Sequence, residues 1–186
     1  MLFLASQFVD ILWATLVILD IEKVRIIEGF TKTAPLDCYY MPYSHSLTAN
    51  VAWAFLVGWL GSLIWDRRAG LVLGACVLLH WFLDLLVHIP DLPLVGDRYK
   101  VGFGLWNAPV AAFLLEAVLL LGGVWLYTRE AKRPAPFWIF AGVLLVIQAS
   151  GMVLPLPHTP AAFAATSLAN YFVLAAIAGV IERKWG

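Results

Sequence analysis

The sequence predicts an all-α fold, a polytopic transmembrane bundle of about six helices that forms a single integral membrane domain over residues 1–186. Three observations lead there. Residues are 62% hydrophobic and 13% charged, against roughly 25% charged in soluble domains, which leaves too little polar surface to face water. Apolar runs long enough to span a bilayer recur six times between short polar stretches. The 9 Trp and 11 Phe suit a bilayer protein with aromatic residues near its interfaces.

The first run, about 3–22, has no basic segment before it and is interrupted by Asp10, so a retained helix is expected rather than a cleaved leader. The later runs fall at about 46–65, 70–89, 103–127, 137–155 and 161–181. Gly70 and Gly74 open the third with GxxxG spacing, which implies close helix packing. The connections before the second and fourth runs are the longest, and loops of that size in a compact bundle are more often functional than accidental. With six spans, Arg67, Arg68, Arg129, Lys132, Arg133, Arg183 and Lys184 share a side with the termini. Lys23, Arg25, Lys32, Arg98 and Lys100 lie opposite. The bias places both termini in the cytoplasm.

Formal net charge is zero, so no basic field invites nucleic acid. Cys38 stands in a polar loop and Cys76 in an apolar run, which writes neither a disulfide framework nor a CxxC metal site.

The third run carries His80, Asp84, His88 and Asp91. At 100° per residue these fall within an arc of about 80° on one helix face. An acid deep in the membrane needs a cation, a proton or a partner, and imidazole with carboxylate suits a divalent ion such as zinc. His80 to Asp91 covers about 16 Å of axis, too far for one ion, so a subset binds one metal or two metals divide the row. Pro90 disfavours continued helix there, so Asp91 can leave the stripe. MPYSHSL opens the second span. A serine cap at Ser44 or Ser46 would let His45 project from the first turn, on the membrane side where the third span ends. Asp20, Glu22, Asp37, Trp106, Asn107 and His158 gather at the same end. Glu22 is the candidate general base on position alone.

SHSL at the start of one helix and HWFLD in the next resemble the bacterial inner-membrane family of membrane-bound metal-dependent hydrolases, relatives of a LexA-regulated inner-membrane protein. The resemblance covers chiefly residues 37–91. It implies that His45, His80 and Asp84 are among the metal ligands. Tyr39 and Tyr40 stand where the family has an HR element, and only the DIE of Asp20–Glu22 substitutes for its early acidic segment.

The expectation is a metal-dependent hydrolase acting on a lipid or lipid-linked substrate near one membrane interface. His45, His80, Asp84 and His88 would serve as metal ligands, and Glu22, His88 and Asp91 as catalytic groups. The alternative is a small transporter, or a proton- or cation-conducting protein, using the same row together with buried Asp10, Glu116 and Asn170.

Overall fold

The computed structural model describes residues 1–130, 133–153 and 157–185. Among them lie α1 (Leu2–Ser6), α2 (Phe8–Ile18), α3 (Leu47–Ile64), α4 (Arg67–Val87), α5 (Pro109–Thr128), α6 (Ala135–Gly151) and α7 (Pro160–Trp185). Four of these, α3, α4, α5 and α7, are long and apolar enough to cross a membrane. The expected first span is split by a break at Gln7 into α1 and α2, and α6 is a shorter apolar helix. The expected end of the fifth span at residue 155, and Lys132 in the basic count, lie outside the described residues.

Large apolar side chains cover the outside of the bundle. Phe55 is 76% exposed, and Leu71, Val118 and Ile139 are nearly as open. Water does not tolerate such a continuous apolar surface, and lipid requires it. The chain is an integral membrane protein.

Helix limits follow local chemistry. Ser46 caps α3 by accepting from the Ala49 amide, and Asp66 caps α4 by accepting from Ala69. Pro109 opens α5, where its missing N–H costs nothing. Pro90 bars helical geometry at the residue before it, and α4 stops at Val87 with His88 already extended. The expected helical stripe therefore loses His88 as well as Asp91. The chain then folds back, and the amides of Phe103 and Gly104 cap the carbonyls of Leu85 and His88. A Cβ on Gly102 would stand 2.1 Å from the Ile89 carbonyl oxygen, so only glycine fits this return.

The long connection before α3 is not all loop. β1 (Lys23–Ile26) and β2 (Leu36–Tyr40) pair antiparallel, with Arg25 opposite Asp37 and Ile26 opposite Leu36. Alternation buries Val24, Leu36 and Cys38 against Trp13, Val17 and Leu92. Burial raises the pKa of the Cys38 thiol, and the Asp91 and Asp37 carboxylates raise it further. It stays a thiol and supplies no thiolate ligand.

The closest helix pair is α3 with α4, joined along Gly58, Gly61, Gly70 and Gly74. A Cβ on Gly70 would meet the Gly58 carbonyl oxygen at 2.3 Å, whereas one on Gly122 would meet nothing within 4 Å. Gly70→Ala is expected to lose about 1–3 kcal/mol to overpacking. Gly122→Ala should be neutral or gain up to about 1 kcal/mol from helix propensity. Thermal unfolding of the two variants in detergent checks the contrast.

Candidate metal centre

Residues 41–46 enter the bundle as non-helical backbone that is buried except at Tyr43. Met41, Ser44, His45 and Ser46 are each at most 4% exposed. Such a segment survives at membrane depth only if its polar groups are satisfied by protein, and here the accounting closes well. The Glu22 carboxylate accepts from the amides of Tyr43 and Ser44 and from the Ser44 hydroxyl. The Asn50 side chain donates to the carbonyls of Ser44 and Ser46. Indole N–H groups of Trp53 and Trp81 donate to the carbonyls of Tyr43 and His45. His45 thus sits just ahead of α3, held from both sides, rather than in its first turn.

Two imidazoles are fixed in the same tautomer by their partners. The Ser44 hydroxyl spends its proton on Glu22, so at 2.7 Å it accepts from His45 Nδ1–H. His80 Nδ1 lies 2.7 Å from the Ser6 carbonyl oxygen, which can only accept. That carbonyl belongs to the end of α1, where the break at Gln7 leaves helical acceptors without helical donors. In the neutral form both histidines turn an Nε2 lone pair inward, which is the form that can ligate a metal ion.

Two carboxylates meet those lone pairs. His45 Nε2 lies 3.5 Å from Asp10 Oδ1 and 3.6 Å from Asp84 Oδ2. His80 Nε2 lies 3.6 Å from Asp10 Oδ1 and 3.2 Å from Asp84 Oδ2. The ligand atoms of Asp10, His45 and His80 are all within 4.8 Å of one another, an arrangement that could hold a metal ion. His80 Nε2 and Asp84 Oδ2 are buried and make no hydrogen bond among the described residues, so even the 3.2 Å approach is not aligned as one. Ligands about 2.0–2.1 Å from a tetrahedral ion stand roughly 3.3–3.4 Å apart. The four N···O separations lie near that edge, while Asp84 stands outside the group whose ligand atoms are all within 4.8 Å of one another.

The sequence row divides. His80 and Asp84 from α4 join His45 from the segment before α3, as expected. The fourth member, Asp10 of α2, was read only as an isolated buried acid. Its other oxygen accepts from the Tyr171 hydroxyl at 3.4 Å, which steadies the carboxylate from α7. His88 stands beside this group rather than in it. Its Nδ1 is 2.9 Å from Asp91 Oδ1, and its ring centroid is 6.1 Å from that of His45 and 4.1 Å from that of Trp106. Glu22, expected as a general base, has its carboxylate committed to three hydrogen bonds and orients His45 through Ser44. Asn170, expected to be buried, is exposed, and so is His158.

The chain Glu22–Ser44–His45 is an outer-shell support of the kind whose loss costs roughly 10–100-fold in metal affinity. Glu22→Gln puts an amide donor against the Ser44 hydroxyl and frees His45 to change tautomer. A fall of that size is expected in chelator-competition titrations, with the fold retained by circular dichroism. No protein-family model, curated protein or solved structure matches the chain.

Proposed function

We propose that the protein is a membrane-embedded metal-dependent hydrolase of a lipid or lipid-linked substrate, with zinc held by Asp10, His45 and His80, a fourth position left for water, and Asp84 beside both imidazoles. Its main support is the convergence of the His45 and His80 imidazoles and the Asp10 carboxylate, with ligand atoms all within 4.8 Å of one another and Asp84 beside both rings. Carboxylates this deep require a cation or a proton. A single divalent ion answers both at once, and the mixed nitrogen and oxygen donors at tetrahedral spacing favour zinc. A bacterial inner membrane follows from the resemblance of SHSL and HWFLD, and cytoplasmic termini from the basic bias.

When bound, the ion supplies Lewis acidity, polarising an ester or phosphoryl oxygen and making water nucleophilic at neutral pH. The remaining work falls to the chain. Asp91 holds the His88 Nδ1–H at 2.9 Å, which leaves His88 Nε2 as the proton acceptor. Trp106 packs against the same ring and screens it from bulk water. The hairpin tip secures Trp106 in turn, since the Thr33 amide and hydroxyl both donate to its carbonyl, at 3.1 and 3.0 Å.

Metal content of protein purified without chelators, together with turnover of phospholipids and lipid-linked phosphodiesters in mixed micelles, tests the assignment. About one ion per chain is expected, with turnover lost on chelation and restored by the ion. Wild-type protein that holds no metal under those conditions would end it. Proton or cation flux in proteoliposomes without lipid turnover would shift the assignment to transport.

A further inference from the structure

A second cavity opens beside the metal centre, of about 210 Å³, bounded by the hairpin residues Thr33 and Leu36, by Trp106, and by α5, α6 and α7. Aromatic rings link its lining to residues around the centre. Trp106 is shared between the cavity wall and His88. Phe163, on the opposite wall, meets Trp13 edge-on at 6.2 Å, and Trp13 meets His45 edge-on at 6.3 Å.

Two polar side chains from apolar helices face this space, Glu116 of α5 and Gln148 of α6. Among the described residues neither makes a hydrogen bond or an ion pair to protein. Glu116 lies seven residues into α5, about 10 Å along its axis, and Gln148 three residues from the end of α6, about 4.5 Å. Both helix ends belong to the face that carries the hairpin, so the cavity lies one to two turns inside that interface. This is where a lipid headgroup meets its acyl chains.

The geometry points to this cavity as the seat of an ammonium-bearing lipid headgroup, with Glu116 as its counter-charge, Gln148 as a hydrogen-bond partner and the Trp106 and Phe163 rings as its apolar walls. The assignment rests on the hydrolase reading for its consequence, since a headgroup lodged here brings the adjoining phosphodiester toward the metal centre. Its chemical basis is separate. A carboxylate facing a membrane cavity without a partner calls for a cation, and aromatic faces beside it favour an ammonium over a hydroxylated or anionic group.

Binding, not turnover, is the test. Short-chain phosphatylethanolamine, phosphatidylcholine and phosphatidylglycerol are titrated into detergent-solubilised, metal-stripped protein and followed by calorimetry. The wild type should bind the two ammonium lipids at least about tenfold more tightly than the glycerol lipid, a factor equal to about 1.4 kcal/mol. Glu116→Gln should erase that preference while leaving metal stoichiometry and thermal stability unchanged, and Gln148→Leu should weaken all binding of the ammonium lipids. Equal affinity for the three lipids in the wild type, or a preference that survives Glu116→Gln, overturns the assignment. Selective binding by a protein that holds no metal removes the hydrolase and keeps the cavity's ligand. Metal-dependent turnover without headgroup preference does the reverse.

Discussion

On the proposed hydrolase assignment, His80→Ala is expected to abolish metal binding and, with it, all lipid turnover. His80 supplies one of two nitrogen donors, and its Nε2 is within 3.6 Å of both carboxylates. Losing an outer-shell partner already costs roughly 10–100-fold in affinity, so loss of this ligand should exceed 100-fold, by metal analysis after dialysis. Stability gives an independent readout. Ligand at 100 times its dissociation constant stabilises a fold by about 2.7 kcal/mol, a thermal shift that the wild type should show on metal addition and the variant should lack. Asp10→Asn should behave in the same direction, because α2 contributes a first-rank donor to the centre. A metal-loaded His80→Ala protein would show that the ion, if any, binds elsewhere.

The second large effect separates chemistry from metal binding. His88→Gln should keep the metal and lose about 10²–10⁴-fold in turnover, the range that positioned general bases contribute. The hydrogen bond from His88 Nδ1 to Asp91 fixes which nitrogen is free. Asp91→Asn, whose amide can donate to that nitrogen, should therefore lower turnover while metal content stays at the wild-type level. Stopped-flow or fixed-time assays on metal-quantified protein distinguish the cases. Full turnover in His88→Gln would remove the base and leave the metal centre standing.

How much of this was legible in the sequence varies with the kind of interaction. The pair His80 and Asp84 is written in i,i+4 spacing, which a helix converts directly into proximity. His45 was legible through the serine beside it and the apolar run that follows. Asp10 was not, because a single acid in an apolar helix has no local partner to give it a direction. Packing alone brings it to the other three. His88 was assigned to the stripe by period, but Pro90 ends α4 before that period reaches it. The same local effect that removes His88 from the helix delivers it to Asp91. Glu22 was named as a base on position alone, whereas the structure commits its carboxylate to a buried stretch of backbone that needs an acceptor. The hairpin was not read from the sequence, because its strands, KVRI and LDCYY, are only four and five residues long and lie within a long polar connection. The six apolar runs were the most secure feature, since length and hydropathy are set by the bilayer rather than by neighbours.

The glycine seam between α3 and α4 sets how the centre can move. Where backbones approach this closely, with only small groups such as the Ser62 hydroxyl between them, two helices are tightly packed against relative motion. His45, at the root of α3, and His80 with Asp84, on α4, therefore share one stiff frame. Asp10 rides on a different and shorter helix. Of the three groups that could hold an ion, one would therefore come from outside that frame, tied to α7 by the Tyr171 hydroxyl.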